Sequence, residues 1–547
     1  MITNTAVSPT THSVNSHANS LLSAVCQWQQ ALGKRAVAAD ITTLERYART
    51  TLPASSMPGA VLYPLNATQV QTIVKIAGLH GVSLHPISRG RNYGYGNACP
   101  ATDGQVIIDL QRMNRIVSVD DELAYTVIEP GVTQGQLFEY LQGYHPDLWM
   151  DATGAGLEAS IVGNALDRGF GHTPCGDHFR ATCGLQLVLA DGNMLETGFG
   201  HYAAHAAHCY PYGVGPVLDG LFSQSNLGIV TRAGIWLNRR PQAFEAFFVK
   251  AKSAQALAGL TDRLRELRLS GLVTSAVHIA NDLRVMSSRI SHPMASDERG
   301  QMLDSETRRQ LVRKLGIGHW NVSGAIYGSH ITMGAMRKAI RRTLRPFHVV
   351  FLSDRKLALA KRATRLLRTI DPVRRLSKTL QVIEPVYQLL KGQPTDAFLP
   401  SIAWHMPQLG AMGTTDPLDR SVGLIWVSPV APAQGQHGDT LVHLMEPIFN
   451  KHGFDMPVTM TLVTDRALCV VSNISFDRQN PSQVERAQHC HDELMQTLLS
   501  SGYPPYRTGP GGFEKLRAND SSFWSTCRRI KQSLDPDAII SPGRYVA

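Results

Sequence analysis

The stretch Pro86-Ile-Ser-Arg-Gly-Arg-Asn-Tyr-Gly-Tyr-Gly96 directly follows the apolar end of a predicted strand. Three glycines within seven residues let the backbone adopt positive φ angles and bring N–H groups close to a phosphate, because glycine has no Cβ. Arg89 and Arg91 add positive charge at the same place. The stretch therefore predicts anion binding. The absence of a GxGxxG motif counts against a Rossmann nucleotide site.

A second stretch of the same character is Gly163-Asn-Ala-Leu-Asp-Arg-Gly-Phe-Gly-His-Thr-Pro-Cys-Gly-Asp-His178. Glycines combined with polar side chains are typical of an anion cradle, although an ordinary turn remains the alternative for either loop alone. Two such loops, far apart in the chain, predict that a pyrophosphate and a ring system are held between them.

Short strands and helices alternate around the two loops. Hydrophobic periodicity and turn residues predict strands over 60–63, 82–87 and 105–110, a helix from Asn66 or Thr68 to Gly81, hairpins turning at Asp120-Asp121 and Asp191-Gly192, and a late helix over 523–534. From about Pro241 the chain becomes more helical and more basic, and loops rich in Gly and Pro return near Gly502. The first and last parts therefore predict one domain, with the middle inserted as a cap.

Composition excludes several classes of protein. Of 547 residues, 43% are hydrophobic and 18% charged, so the chain can bury a large core and wholesale disorder is excluded. No apolar run approaches the roughly 18 residues of a membrane span, and residues 3–20 are polar, which predicts a mobile tail rather than a secretory signal. Eight scattered cysteines without a CxxC pair predict neither a disulfide scaffold nor a metal site, and favour a cytoplasmic location.

The net charge of +10 is concentrated between Arg308 and Lys378, in pairs such as Arg337-Lys338, Arg341-Arg342 and Arg374-Arg375. Nucleic-acid binding is one interpretation. The favoured one is the solvated face of amphipathic helices, because Leu357, Leu359, Ala360, Ala363 and Leu366-Leu367 recur near helical spacing. We likewise interpret His489-Cys490-His491 as ordinary surface residues of a helix, since nothing nearby completes a metal-ligand set.

Six further segments carry a resemblance together with the two loops. They are Val106-Ile-Ile-Asp-Leu110, Met113-Asn-Arg-Ile116, Val127-Ile-Glu-Pro-Gly131, Pro211-Tyr-Gly-Val-Gly-Pro216, Asp219-Gly-Leu-Phe-Ser-Gln-Ser-Asn-Leu-Gly-Ile-Val230 and Leu534-Asp-Pro-Asp-Ala-Ile-Ile-Ser-Pro-Gly543. In this order they resemble the vanillyl-alcohol oxidase/p-cresol methylhydroxylase flavoprotein family, with a dense match over 61–237 and from Tyr506 onward. The resemblance implies an α+β fold in which a two-lobed FAD-binding domain is split by an α+β cap. The expected division is a tail and lead-in helix over 1–50, the FAD-binding domain over 51–240, the cap over 241–500 and a returning segment over 501–547.

The resemblance also implies which residues form the site. Phenol-oxidising members surround the substrate phenolate with two tyrosines and an arginine, which match Tyr95, Tyr506 and Arg507. The residues expected to bind FAD are Pro86, Ser88, Arg89, Gly90, Arg91, Asn92, Tyr93, Gly94, Pro130, Gly154, Gly163, Asn164, Arg168, Gly169, Gly171, His172, Ile229, Val230 and Arg544. A buried guanidinium and two hydroxyl donors would favour the anion of a phenol whose pKa is near 10.

Some positions depart from the family pattern. Covalent-flavin members carry a His or Tyr just before a segment like Trp426-Val-Ser-Pro429, whereas this chain has Val422–Ile425 there, and the first loop contains no histidine. We therefore predict non-covalent FAD. Ala155 stands where vanillyl-alcohol oxidase has an aspartate, with Glu158 the nearest acid, and Cys469-Val470 stands where a paired histidine is expected. The acid–base groups of the site are thus predicted to differ.

The sequence is consistent with three functions. The leading hypothesis is hydride transfer to flavin from a para-substituted phenol, such as a 4-hydroxybenzyl alcohol or a 4-alkylphenol, through a quinone-methide-like intermediate. The second is the same fold acting on a different alcohol, amine or C–C bond in a biosynthetic pathway, and the third is a non-catalytic binder of an acidic partner. The leading hypothesis requires a small-molecule substrate and an electron acceptor, either O₂ or a redox protein, with a homodimer as one candidate assembly and no nucleic-acid or membrane partner.

Overall fold

The first 240 residues build three small β-sheets. The computed structural model describes residues 11–293, 302–366, 371–406, 416–518 and 521–546. The strands are β1 (Val37–Ala38), β2 (Ala60–Leu62), β3 (Leu84–Ile87), β4 (Val106–Asp109), β5 (Ile116–Asp120), β6 (Tyr125–Ile128), β7 (Leu148–Trp149), β8 (Thr182–Val188), β9 (Met194–Glu196), β10 (Ile229–Trp236) and β11 (Asn238–Arg239). The helices are α1 (Thr11–Leu32), α2 (Ile41–Ala48), α3 (Ala67–His80), α4 (Gln134–Tyr144) and α5 (Ile161–Leu166).

These sheets form two lobes with separate cores. The first lobe contains the order β1-β2-β4-β3, in which β2 and β3 both run parallel to β4. The second contains the antiparallel order β5-β6-β10-β8-β9. Leu84 and Ile108 are fully buried in the first core, while Ile128 and Leu187 are fully buried in the second.

Helix α3 shows how the sequence specifies a local element. The Asn66 side chain accepts a hydrogen bond from the Gln69 N–H and caps the N-terminus, and Gly81 ends the helix at a φ of 62°. Val70, Ile73, Val74 and Ala77 are buried on one face, as their spacing predicted. Each large aliphatic side chain contributes roughly 1.5–3 kcal/mol when fully buried.

The predicted tail is partly helical. Helix α1 already begins at Thr11, and its buried Trp28 donates a hydrogen bond from Nε1 to the Ile73 carbonyl at 3.2 Å. The expectation of a mobile tail over 3–20 is therefore corrected from Thr11 onward, while residues 3–10 lie outside the described residues.

The middle of the chain forms one large antiparallel sheet, in the order β15-β12-β14-β13-β18-β19-β16, with β17 paired to β19. Its strands are β12 (Ala243–Ala251), β13 (Val277–Asn281), β14 (Trp320–Gly328), β15 (Val349–Leu352), β16 (Val422–Val427), β17 (Val430–Pro432), β18 (Val458–Leu462) and β19 (Ala467–Asp477). Its helices are α6 (Ala256–Leu269), α7 (Asp282–Ser287), α8 (Ser305–Leu315), α9 (Met333–Thr343), α10 (Asp354–Leu366), α11 (Asp371–Leu389), α12 (Gly435–Lys451) and α13 (Pro481–Ser500).

The C-terminal segment returns to the first lobe. It contains α14 (Pro510–Ala518) and α15 (Ser522–Leu534). After α15 the Leu84 N–H donates to the Ile539 carbonyl and the Ser541 N–H donates to the Leu84 carbonyl, each at 2.7 Å. The buried Lys531 ammonium also donates to the Ile540 carbonyl at 2.9 Å and pairs with Asp535. The predicted α+β class, with the middle of the chain inserted between two parts of one unit, is confirmed.

Two surface predictions need correction. In α10 only Leu357 of the predicted apolar face is buried, whereas Leu359 and Leu366 are each 70% exposed, because the helix packs through a narrower stripe. In α13, Cys490 and His491 face the core rather than solvent, since they follow its buried stripe. The Arg374-Arg375 side chains and Leu367 lie outside the described residues. No helix in the described ranges is long and apolar enough to cross a membrane.

Candidate active site

A cavity of about 520 Å³ lies where the two glycine-rich loops, the cap sheet and the C-terminal segment meet. The cap contributes alternate residues of its strands. In β13, Val277 and Ile279 point into the cap core while His278 lines the cavity, and in β18 Thr461 lines it between the buried Met460 and Leu462. The two-residue period of a strand thus gives the sheet one apolar face and one cavity face.

The first loop presents unused backbone donors to this cavity. Within the described chain, no hydrogen bond uses the backbone N–H groups of residues 89–93. Gly90 has a φ of 65°, and a Cβ there would lie 2.8 Å from the Ala98 side chain. Arg89 and Arg91 are held by ion pairs with Glu158 and Asp416. Consecutive free N–H groups beside anchored arginines form an anion-binding concavity.

The second loop packs closely against the first. A Cβ at Gly163 would lie 3.0 Å from Ser88 Oγ, and one at Gly169 would lie 2.1 Å from Asn164 Oδ1. Side chains at these glycines would separate the loops or displace Asn164. Gly163 is therefore required for the two loops to approach each other, and Gly169 is required to leave room for the Asn164 side chain.

Most of the residues predicted for the site line the cavity. These are Pro86, Ser88, Arg89, Gly90, Arg91, Asn92, Tyr93, Tyr95, Pro130, Gly154, Gly163, Asn164, Gly169, His172, Ile229, Val230, Tyr506, Arg507 and Arg544. Three predicted residues do not line it: Gly94, Arg168 and Gly171.

Each of the three has another role. A Cβ at Gly94 would lie 2.3 Å from Trp426 Cδ1, and one at Gly171 would lie 2.4 Å from Asp151, so both glycines admit a neighbouring side chain. The Arg168 side chain is exposed, and its Nε donates to Ser223 Oγ at 3.1 Å. Arg168 turns away from the cavity, so the expectation that its charge serves the bound anion is not supported.

The three predicted cage residues lie together. The Arg507 guanidinium carbon is 4.1 Å from the centre of the Tyr95 ring, and the Tyr506 N–H donates to the Ser428 carbonyl at 3.0 Å. Tyr95 Oη and Ser428 Oγ are 3.0 Å apart. The Tyr95 ring also stacks on Trp426 of β16, with centroids 6.3 Å apart. The cap therefore fixes both tyrosines through one serine and one tryptophan.

An acidic partner of Arg507 was missed by the sequence reasoning. Arg507 donates through Nη2 to both Asp167 and Asn92, and Asp167 also accepts from the Tyr545 hydroxyl at 3.0 Å. Asp167 is the only carboxylate that lines the cavity among the described residues. Its position directly before Arg168 in the quoted loop was the available signal. Nε of Arg507 is buried and has no partner in the described chain.

Burial and charge set the ionisation of this group. Burial raises the pKa of Tyr95, which Arg507 only partly offsets, and burial raises the pKa of Tyr506 well above its usual value. Burial alone would raise the pKa of Asp167, but Arg507 and Arg544 hold it below its ordinary value. At neutral pH the site therefore contains two neutral phenol donors and a guanidinium paired with an ionised carboxylate.

Two histidines that line the cavity stack on each other. The rings of His172 and His278 stack with centroids 4.1 Å apart, and burial lowers the pKa of both, so both are neutral at pH 7. Behind them, Asp151 accepts from the His172 N–H at 3.0 Å and from His178 Nε2 at 3.0 Å. Burial would raise the pKa of Asp151, but the His178 contact and two backbone donors lower it to about 2. His278 was not foreseen, because a lone histidine in a strand carries no motif.

Residues 58–198 match the model of a family described as "FAD binding domain", so the chain is an FAD-binding protein. It is 34% identical over 530 residues to a 1'-carboxy-chondrochloren decarboxylase of Chondromyces crocatus, covering 95% of this chain and 96% of that protein. It is 30% identical to the 4-cresol dehydrogenase [hydroxylating] flavoprotein subunit of Pseudomonas putida, covering 95% and 94%. The chain therefore belongs to the vanillyl-alcohol oxidase/p-cresol methylhydroxylase flavoprotein family and is an FAD-dependent enzyme.

A solved structure extends the likeness to the whole fold. The 4-ethylphenol oxidase of Gulosibacter chungangensis superimposes with a TM-score of 0.86 at 27% identity, covering 96% of this chain and 97% of that one. The predicted family and cofactor are thus confirmed.

The residues present fit FAD. The pyrophosphate requires several N–H donors and positive charge, which the backbone of residues 89–93 and the adjacent Arg89 and Arg91 provide. Leu110, Ile229 and Val230 supply an apolar wall suited to the ring system. No cysteine lines the cavity in the described ranges, and Tyr93 there donates its hydroxyl to Asp416 at 3.0 Å. Non-covalent attachment remains a prediction.

Proposed function

We propose that this enzyme oxidises a para-substituted phenol, of the 4-hydroxybenzyl alcohol or 4-alkylphenol type, by hydride loss from the benzylic carbon through a quinone-methide-like intermediate. The observation that carries this proposal is the buried cage of Arg507, Tyr95 and Tyr506 in the same cavity as the FAD-binding loops. The names of the 4-cresol dehydrogenase and 4-ethylphenol oxidase relatives support it.

The cage residues have separable tasks in this reaction. Arg507 donates through Nη2 to Asp167 and Asn92, which fix the guanidinium, and because Arg507 lines the cavity its charge can stabilise a phenolate oxygen there. Tyr95 and Tyr506 remain protonated because burial raises the pKa of both, so both can donate to the same oxygen. A cation and two donors around one oxygen favour the phenolate over the phenol.

The electron flow follows from the ionised substrate. The phenolate pushes an electron pair through the ring, which makes the benzylic C–H bond a hydride donor. Bound FAD supplies the hydride acceptor. The quinone-methide-like intermediate that remains is electrophilic at the former benzylic carbon. Water or the substrate's own hydroxyl oxygen then determines the final product. Fixed donors aimed at the phenolate are the largest contribution expected from the protein itself.

Flavin bleaching tests the proposal. The purified holoenzyme is mixed anaerobically with 4-hydroxybenzyl alcohol, 4-ethylphenol and their O-methyl ethers, and absorbance near the flavin maximum is followed. We expect bleaching by the free phenols only, because an O-methyl ether cannot ionise. Equal bleaching by the ethers would contradict the phenolate mechanism. The absence of bleaching by either phenol would favour the same fold acting on a different alcohol, amine or C–C bond.

A second candidate is oxidation coupled to loss of CO₂, which the name of the 34% identical decarboxylase favours. A quinone methide whose neighbouring carbon carries a carboxylate can lose CO₂. The electron pair of the bond to the carboxylate then forms a double bond between the two side-chain carbons, and the ring returns to an aromatic phenolate. Hydride and the phenolic proton leave in the oxidation, so the products are a vinylphenol, CO₂ and two-electron-reduced flavin. Measurement of CO₂ per flavin reduced separates this candidate from simple dehydrogenation.

The domain boundaries, the electron acceptor, the assembly and the cellular location are also proposals. We propose the domain boundaries given by the sequence, O₂ or a redox protein as electron acceptor, and a homodimer as the assembly to be tested. All eight cysteines are free, which supports the proposed cytoplasmic location.

A further inference from the structure

The cap side of the cavity contains two arginines that the proposed chemistry does not use. Arg284 lies in α7 and Arg289 follows that helix, and both line the cavity. Both side chains are partly buried. Neither was predicted from the sequence.

Both arginines have neutral partners only. Arg284 donates from Nη1 to Ser401 Oγ at 3.3 Å, and its guanidinium carbon lies 5.7 Å from the Trp426 ring centre. Arg289 donates to the Val382 carbonyl at 3.3 Å and lies 5.3 Å from the Phe398 ring centre.

No carboxylate of the described residues forms a salt bridge with either arginine. The Nε of Arg289 is also buried without a partner in the described chain. Both guanidinium groups therefore lack a protein counter-ion there.

This arrangement differs from that of three other arginines of the cavity. Arg89, Arg91 and Arg507 each form an ion pair with a carboxylate. A buried cation without a counter-charge is costly, because desolvation is not repaid by attraction. Desolvation lowers the pKa of Arg284 and of Arg289 to about 10, which still leaves both charged at neutral pH. An anionic ligand would compensate both charges at once.

The position of Arg284 relates it to the phenol cage. Arg284 and Tyr95 both lie next to the Trp426 ring, and Arg507 lies over the Tyr95 ring. A substrate with its phenolate at Arg507 can thus extend past Trp426 toward the second cation. The FAD-binding loops belong to the other part of the molecule, whereas α7 belongs to the cap.

We propose that Arg284 and Arg289 form an anion subsite that binds a carboxylate carried by the side chain of the phenolic substrate. This inference rests on the proposed phenol oxidation and narrows its substrate class to phenols with a second, anionic end. Bidentate guanidinium–carboxylate contacts would provide the specificity.

Binding of matched probes tests the subsite in the holoenzyme. The probes are 3-(4-hydroxyphenyl)propanoate, its methyl ester and 3-phenylpropanoate. Dissociation constants come from flavin difference spectra, or from the concentration dependence of flavin reduction where a probe is oxidised. The variants are Arg284→Gln and Arg289→Gln. The control is Arg341→Gln, because Arg341 has the same charge and lies 5.1 Å from the Phe351 ring centre but outside the cavity.

We expect the wild type and Arg341→Gln to bind the acid roughly 10- to 100-fold more tightly than its ester, as charged hydrogen bonds imply. Arg284→Gln and Arg289→Gln should each lose most of that preference, with unchanged ester binding and FAD content. Equal binding of acid and ester by the wild type, or a preference that survives in both variants, would overturn the subsite. Loss of FAD from these variants would overturn it too, by assigning the arginines to the cofactor.

The third probe separates the two proposals. If 3-phenylpropanoate binds through Arg284 while no phenol bleaches the flavin, the anion subsite stands and phenol oxidation fails. If phenols bleach the flavin but a carboxylate has no effect on affinity, phenol oxidation stands and the subsite fails.

Discussion

Replacement of Arg507 tests the phenolate mechanism most directly, but the single variant also damages the structure. Arg507 and Asp167 are each only 11% exposed, so Arg507→Gln leaves Asp167 ionised without its main partner. Breaking a buried pair in this way costs about 3–5 kcal/mol, a large part of a typical folding stability of about 5–15 kcal/mol. The double variant Arg507→Gln/Asp167→Asn removes both charges and should restore most of the stability.

The expected catalytic loss follows from the ionisation of phenol. A free phenol has a pKa near 10, so about one molecule in a thousand is ionised at pH 7. If Arg507 is what keeps bound substrate ionised, the double variant should reduce its flavin roughly 10²–10³ times more slowly, or about 3–4 kcal/mol. Tyr95→Phe and Tyr506→Phe each remove a neutral hydrogen bond and should cost about 0.5–1.5 kcal/mol, or roughly 2- to 10-fold.

Anaerobic stopped-flow with saturating 4-hydroxybenzyl alcohol provides the assay, over a pH series from 6 to 10. The wild-type rate should change little with pH, whereas the rate of the double variant should rise about tenfold per pH unit as free phenolate becomes available. Asp167→Asn alone is the control, because it keeps the cation. A double variant that reduces at the wild-type rate at pH 7 would refute the role of Arg507.

Three further predictions concern the cofactor, the loop and the pH dependence. Acid precipitation should release all FAD into the supernatant, and yellow colour retained in the washed pellet would demonstrate a covalent bond. Gly94→Ala should destabilise the protein by about 2–4 kcal/mol in urea unfolding, because its Cβ would lie 2.3 Å from Trp426 at a φ of +77°. The control is Gly104→Ala, whose φ is +80° and whose Cβ would meet open space. This control should show only the conformational cost of about 1 kcal/mol. Burial, and secondly Arg544, lowers the pKa of His85 to about 3. As the pH falls below about 6.5, His85 therefore takes up a proton in the unfolded chain but not in the folded chain, and this histidine alone should lower the free energy of unfolding by about 1.4 kcal/mol per pH unit down to about pH 3. His85→Gln should reduce the slope of unfolding free energy against pH by that amount, and an unchanged slope would show that His85 is protonated in the folded state.

Local sequence was sufficient for features that depend on neighbouring residues. The cap of α3 at Asn66, its stop at Gly81 and the glycine-rich loops all follow from backbone preferences of a few adjacent positions. The cage positions Tyr95 and Arg507 were accessible only through the family resemblance, since nothing in their spacing brings residues so distant in sequence together.

Features that depend on tertiary pairing could not be predicted. Whether an arginine is neutralised depends on which acid the fold brings to it. Arg89 meets Glu158 and Arg91 meets Asp416, while Arg284 meets no carboxylate of the described chain. The exposure of Leu359 has the same origin, because helical spacing defines a face but not the width of the surface that covers it.

The loop that we propose to hold the cofactor also contacts the proposed substrate cage, which would link the two binding events. The backbone of residues 89–93 offers its N–H groups to the anion, while Asn92 in that run accepts from Arg507 and donates to Asp167 at 3.3 Å. An anion that orders the loop therefore also orders the partners of Arg507. If the bound anion strengthens the binding of a ligand at the Arg507 cage by some factor, linkage requires that ligand to strengthen the binding of the anion by the same factor. A non-covalent flavin can then be retained through the shared loop, without a bond to the protein.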